Sequence, residues 1–252
     1  MQNHYSSLSD KYKVKSYNPN KGKTHNIDIP FRMVIVGASG SGKTNCLMNL
    51  LKLAFNGTFT HIYLCVKNAD EPLHKRMIDK LGDNITVYEN GEVPRLQDLP
   101  KNEEQLIIFD DLVGDKNATT QIIEYYEMAR KKGISCAYLS QSYYKVDKFI
   151  RQNTNYIIIK KVSSKRDLKL ILSEYSFNCD IKQLEEMYHY ATKKFEDVLL
   201  LDILHSQVYH NFTEDYFNNI FYIYIYIFLY NITMTNDRII YWNKLKKINT
   251  SS

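Results

Sequence analysis

"FRMVIV" at residues 31–36 runs straight into "GASGSGKT" at residues 37–44. The first stretch is apolar and β-branched and stops at a glycine, as a buried parallel strand does. The second fits Gly-x-x-x-x-Gly-Lys-Thr in full, the pattern of a phosphate-binding loop. Gly37, Gly40 and Gly42 let the backbone curl and turn its N–H groups inward on a phosphate, with Ala38, Ser39 and Ser41 completing the cradle. Lys43 reaches the β- and γ-phosphates as a point charge. Thr44 offers a hydroxyl to Mg²⁺ at the start of a helix whose positive end faces the same phosphates. "TNCLMNLLKLAF" at residues 44–55 has the apolar spacing of that helix. The cofactors expected are therefore ATP and Mg²⁺.

Working outward, strand-like and helix-like runs alternate. Strands are expected in "HIYLCV" (61–66), "NITVYE" (84–89), "EEQLIIFDDL" (103–112), "ISCAYLSQ" (134–141), "NTNYIIIKK" (153–161) and, last, "FEDVLLLDI" (195–203). Helices are expected in "EPLHKRMIDKLG" (71–82), "TTQIIEYYEMARKKG" (119–133), "SKRDLKLILSEYSF" (164–177) and "IKQLEEMYHYAT" (181–192). This alternation predicts a three-layer α/β fold with a mainly parallel sheet. Two strand-like runs separate the phosphate loop from "IIFDD". At least one extra strand is therefore expected between the phosphate-loop strand and the acidic strand, as in motor-type nucleoside triphosphatases.

"LIIFDDL" carries Asp110 to the C-terminal end of a buried strand, where ligands sit in open α/β sheets. Asp110 is expected to hold Mg²⁺ through water beside Thr44, and Asp111 to polarise the attacking water. The alternative is that the pair caps the next helix. Gln141, at the end of "YLSQ", is expected between the phosphate-loop strand and the Asp110 strand, placed to sense a γ-phosphate and orient water; the alternative is a surface glutamine at a strand end. Arg130 is a candidate arginine finger supplied by a neighbouring subunit, with Arg151 in "KFIRQN" as its competitor.

Composition bounds the rest. The chain has 252 residues, 44% hydrophobic and 24% charged, with a formal net charge of +5, so a folded globular core is expected. Cys46, Cys65, Cys136 and Cys179 have no Cys-x-x-Cys spacing. They read as buried, reduced thiols of an intracellular protein rather than a disulfide framework or metal site. Three segments are expected: a basic, flexible leader at 1–28, a nucleotide-hydrolysing domain at 29–212, and an atypical extension at 213–252. The leader reads either as a solvated segment or as a DNA-contacting arm. It has no apolar core, so no secretory signal is expected. "IFYIYIYIFLY" at 220–230 is too short for a membrane span, which needs about 20 residues. Its period of two favours a strand, or it is a run-on extension.

With these pieces in place the chain resembles the poxvirus-type DNA-packaging ATPases of the FtsK–HerA superfamily, found in large DNA viruses, virophages and Maverick/Polinton elements. The resemblance rests on "PFRMVIVGASGSGKTNCLMNL", "NADEPLH", "EEQLIIFDDLVGDKN", "ARKKGISCAYLSQSYYKV" and "IRQNTNYIIIKKVSSKRDLKLIL", over residues 28 to 212. It implies an ATPase in which residues 37–44 bind the nucleotide and Thr44 and Asp110 serve the metal. Lys43, Asp111, Gln141 and Arg130 are then the catalytic set. It further implies a homo-oligomeric, hexameric ring at an intracellular viral assembly site. Such a ring threads double-stranded DNA, without regard to sequence, into a capsid through capsid or portal proteins, with no membrane partner. Lys131, Lys132, Lys145 and Lys148 are candidate DNA contacts. Ala129 departs from the family, which often has glycine there. The alternatives are another DNA motor of the same class or a non-catalytic relic of an integrated viral gene.

Overall fold

A computed structural model of the protein describes residues 9, 17–18, 25–101, 103–175, 177 and 179–215. The chain divides after Thr213 into two units. The described part of the second is the two-residue strand Glu214–Asp215, and the expected strand at 220–230 lies outside the described residues.

The first unit is built on a sheet of β1 (Arg32–Val36), β2 (His61–Val66), β3 (Ile85–Tyr88), β4 (Gln105–Asp110), β5 (Ile134–Ser140), β6 (Tyr156–Ile159), β7 (Leu199–Asp202) and β8 (Gln207–His210). Their order across the sheet is β3-β2-β4-β5-β1-β6-β7-β8. Every pairing from β3 through β6 is parallel, whereas β6–β7 and β7–β8 are antiparallel. The mainly parallel α/β expectation holds. The extra strand between the phosphate-loop strand and the acidic strand is β5, which carries Gln141 to its expected place between them; neither of the two runs that separate them in sequence lies there. β2 and β3 go to the far edge beyond β4. "FEDVLLLDI" is not the last strand, because its β7 turns back on β8. "NTNYIIIKK" is a strand only from Tyr156. Its opening residues finish a short helix, α4 below.

The helices are α1 (Lys43–Leu53), α2 (Pro72–Leu81), α3 (Lys116–Met128), α4 (Lys148–Asn153), α5 (Lys165–Glu174) and α6 (Ile181–Ala191). Strand residues alternate between two faces, and both faces are covered. On one, Met33, Ile35, Leu64, Leu106, Ile108, Leu139 and Ile158 pack with Leu47 and Leu50 of α1 and Met77 of α2. On the other, Phe109 meets Tyr125 of α3 with ring centroids 5.5 Å apart, and the Tyr126 hydroxyl donates to the Met33 carbonyl. Burial on both faces is why these strands read as continuous apolar runs.

The core also takes in residues before 29. His25 and Ile27 are buried, Asn26 N–H donates to the Phe212 carbonyl at 2.9 Å, and Asp28 N–H donates to the Tyr156 hydroxyl at 3.0 Å. Cys46, Cys65 and Cys136 are buried free thiols, while Cys179 is half-exposed. Among the described residues no helix is long and apolar enough to cross a membrane.

Four helices start on a side-chain cap: Asp115, Asp147, Ser164 and Asp180 each accept from N–H groups of the first turn. Asp115 accepts from Asn117 and Ala118 N–H at 2.9 and 3.0 Å. Asp115→Ala is expected to lower the unfolding free energy by about 1 kcal/mol, read from the midpoint shift of a urea titration followed by far-UV circular dichroism.

Candidate functional site

Val36, Asp110 and Ser140 end β1, β4 and β5, and Ile159 ends β6. These strands run parallel and adjacent, so the residues just past their ends emerge along one edge of the sheet. Asp111 comes after β4, Gln141 after β5, Gly37 after β1, and Lys160 after β6. The phosphate loop thus lies between an acidic, amide-bearing side and a lysine-bearing side.

The loop is held from both sides. Gly37 N–H donates to the Ser140 carbonyl at 3.2 Å and Ala38 N–H to the Lys161 carbonyl at 2.9 Å. Gly40 and Gly42 have φ of +71° and +87°, a region that favours glycine. A side chain at position 37 would come within 2.5 Å of the Ser41 hydroxyl and 2.6 Å of Lys160 Cβ. The loop is therefore closed to anything larger than glycine there. No side chain caps α1, so its leading N–H groups face the concavity with the helix's positive end behind them. The buried Ser41 hydroxyl has no hydrogen-bond partner among the described residues. These features fit a bound phosphate chain. Lys43 Nζ donates across the loop to the Gly37 and Ala38 carbonyls at 3.1 and 3.2 Å. Burial lowers its pKa, against the opposing pull of Asp110, Asp111 and Glu71.

On the acidic side, Thr44 Oγ1 donates to Asp110 Oδ2 at 3.3 Å. Both are hard oxygen ligands, the type Mg²⁺ takes alongside water and phosphate oxygens. The same Asp110 oxygen meets His74 Nε2 of α2 at 3.0 Å, and His74 is only 3% exposed. Burial alone would lower the His74 pKa. The hydrogen bond and charge of Asp110 outweigh it, and the net direction is upward. His74 stands in "NADEPLH", a stretch whose residue types alone assign no chemistry. Only the packing of α2 over the end of β4 brings it to Asp110.

Asp111 leaves β4 with φ +54°, a left-handed conformation in which Asp and Asn are over-represented among non-glycine residues. Its N–H donates to the Leu139 carbonyl at 3.1 Å, extending the ladder to β5. Its Oδ2 accepts from Gln141 Nε2 at 2.9 Å. The next helix is capped by Asp115, so the capping alternative for the Asp110–Asp111 pair does not occur.

The arginines separate clearly. Arg151 Nη1 meets both Glu174 carboxylate oxygens at 2.6 and 2.7 Å, and its Nε donates to the Val146 carbonyl at 3.2 Å. Its guanidinium is committed within its own chain through Nη1 and Nε. Arg130 is exposed in a 3₁₀ turn, Ala129–Lys132, that leads into β5. β5 separates it from the loop edge by a strand length, about 20 Å, so it does not reach this chain's own site. Lys131 and Lys132 share that far end, where Lys132 Nζ donates to the Leu96 carbonyl. Lys145 and Lys148 are exposed on the chain that follows β5, Lys148 at the start of α4. The lysines considered as DNA contacts therefore form two groups, one before β5 and one after it.

A family model described as Poxvirus A32 protein matches residues 23–214. The DNA packaging protein OPG160 of Variola virus and that of Vaccinia virus (strain Copenhagen) are each 32% identical over 151 residues, covering 54% of this chain and 55% of theirs. The chain thus spans about half the length of the curated relatives it matches. Among solved structures, B204, the DNA-packaging ATPase from Sulfolobus Turreted Icosahedral Virus, superposes with TM-score 0.55 at 16% identity, covering 73% of this chain and 98% of that one. The genome packaging NTPase B204 from Sulfolobus turreted icosahedral virus 2, in complex with AMP, gives TM-score 0.53 at 15% identity, covering 72% and 96%. At such identities the likeness is one of fold.

Removing one partner of the Arg151–Glu174 pair leaves a largely buried charge unpaired. Arg151→Ala is expected to destabilise the fold by about 3 kcal/mol, and Arg130→Ala by less than about 0.5 kcal/mol, in parallel guanidinium titrations.

Proposed function

The chain belongs to the Poxvirus A32 protein family, and from that premise we propose that it is an ATP-hydrolysing motor that drives double-stranded DNA into a viral capsid. The observation that carries this reading is the row at the sheet edge. Thr44 and Asp110 lie together on the acidic side of the phosphate loop. Asp111 and Gln141, hydrogen-bonded to each other at 2.9 Å, lie where a γ-phosphate held by Lys43 would end.

In this reading residues 37–44 hold the phosphates through backbone N–H groups and the Lys43 ammonium. Thr44 and Asp110 hold Mg²⁺, which when bound neutralises charge on the phosphate oxygens. Asp111 polarises the water that attacks the γ-phosphorus. Gln141 Nε2 donates to Asp111, and a γ-phosphate competes for that same donor. Loading the site therefore turns Gln141 toward the phosphate and frees Asp111 for water. His74 keeps the Asp110 carboxylate aimed at Thr44.

Arg130 acts on the neighbouring subunit's site, which makes turnover a property of a homo-oligomer, read here as a hexameric ring. DNA contact falls to Lys145 and Lys148, a few residues beyond Gln141 on the same connection. That connection is clamped by Asp167 of α5, which accepts from Ser142 Oγ and Tyr144 N–H at 3.1 and 2.7 Å. The ring of Tyr144 lies 3.4 Å under the Arg166 guanidinium. Contacts of this kind bind phosphates and ignore sequence, as packaging demands. The complex would work at an intracellular viral assembly site with capsid or portal proteins.

The test is ATP hydrolysis with blunt linear duplex, with single strands, and without DNA. Duplex-specific stimulation that Lys43→Ala abolishes is the expected result. Turnover indifferent to duplex would refute translocation. Asp111→Asn and Arg130→Ala should each lower turnover about 10³-fold or more. Mixing the two variants should restore part of it, because Asp111 of one subunit then meets Arg130 of the next. No recovery on mixing would count against the shared site.

A further inference from the structure

The opposite side of the phosphate loop carries a second set of groups that the hydrolytic chemistry does not use. Asp111 and Gln141 fix the reacting end of a nucleotide on the β4–β5 side of β1. A phosphate chain running through the loop must then deliver its nucleoside on the β6 side. A cavity of about 360 Å³ opens there, between the loop residues Ala38 and Ser41 and the segment from Thr192 to Phe195 that links α6 to β7. That volume lies at the small end of the range for small-molecule sites, about 300–1,000 Å³.

The wall of this cavity is built rather than incidental. Lys160, only 3% exposed, directs Nζ to the Phe195 carbonyl and, at 3.0 Å, to the Asp197 carbonyl. Its own N–H donates to the Val36 carbonyl at 2.8 Å, so the residue just past β6 ties the 195–197 segment to the strand leading into the loop. The Phe195 ring is thereby set on Gly42. A side chain at position 42 would come within 2.7 Å of its Cζ. Lys160 Nζ lies 5.3 Å from the ring centroid. Yet Phe195 is 56% exposed. An aromatic ring fixed against the phosphate loop, with much of its area left to solvent, has a free face of the kind on which bases stack. The remaining charged lining, Lys161, Lys193 and Lys194, is cationic and suits the ribose and α-phosphate end of a polyanion.

We infer that this cavity is the nucleoside subsite and that Phe195 stacks on the base of the bound nucleoside triphosphate. The inference rests on the reading of residues 37–44 as a nucleotide loop. The two can be separated by calorimetric titration of the full chain, in Mg²⁺, with ATP and with inorganic tripolyphosphate, which has no base. Phe195→Ala should weaken ATP about tenfold and leave tripolyphosphate binding unchanged. Phe195→Trp should keep ATP affinity and add indole fluorescence, over the background of Trp242, that ATP quenches and tripolyphosphate does not. Unchanged ATP affinity in Phe195→Ala would overturn the inference, because the base then lies elsewhere. Equal weakening of both ligands would overturn it too, by making Phe195 a support for the loop. If the wild-type chain bound neither ligand, the nucleotide-loop reading itself would fall, and this inference with it.

Discussion

Everything at the functional edge depends on β5 holding two parallel neighbours at once. Its ladder to β1 sets Val36 opposite Ser140, and its ladder to β4 sets Asp110 opposite Leu139. Adjacent strands lie about 4.8 Å apart, so these pairings bring the ends of β4, β5 and β1 level within about 10 Å. A one-residue slip in either ladder would turn the alternating side chains onto the wrong faces, exposing core and burying polar groups. The apolar alternation of β5, covered on both faces, therefore holds the register of the site as well as the fold.

On that frame the polar groups are already committed to partners, and a ligand would compete for them. Lys43 is spent on the Gly37 and Ala38 carbonyls, Thr44 and His74 on Asp110, and Gln141 on Asp111. Burial strengthens the Lys43, Thr44 and His74 contacts relative to water, while the Gln141–Asp111 contact is exposed. A polyphosphate would offer Lys43 an anionic acceptor in place of two neutral carbonyls, adding the attraction of opposite charges, and would offer Gln141 a second anion beside the Asp111 carboxylate.

The loop at 37–44, the pair at 110 and 111, and the glutamine at 141 were legible because each is local. An apolar run delivers a short polar sequence to a strand end, and the chemistry comes from residue type. The strands were legible for the same reason, down to β2 at its observed bounds. Legibility ended where geometry between distant segments decides. The 134–141 run takes its expected place between the phosphate-loop strand and the acidic strand, whereas nothing local in the 61–66 and 84–89 runs fixes their place at the far edge beyond β4. The connection from β1 to β2, which contains α1, passes over the places of β4 and β5. β8 escaped notice because "QVYH" carries only one buried residue, Val208. α4 did so because six residues show too little periodicity.

The sequence by itself determined the class of fold and the delivery of the glycine-rich loop, the acidic pair and the glutamine to strand ends. Backbone conformation in a glycine-rich loop and burial of an apolar strand are dictated over a few residues. Tertiary structure alone decided which arginine is free and which is bound to Glu174, that His74 meets Asp110, and that Lys160 draws Phe195 onto Gly42. These pairs are separated by 23 to 153 positions in the chain. Their contacts arise only when sheet order and helix packing bring the segments together, and no local propensity encodes that.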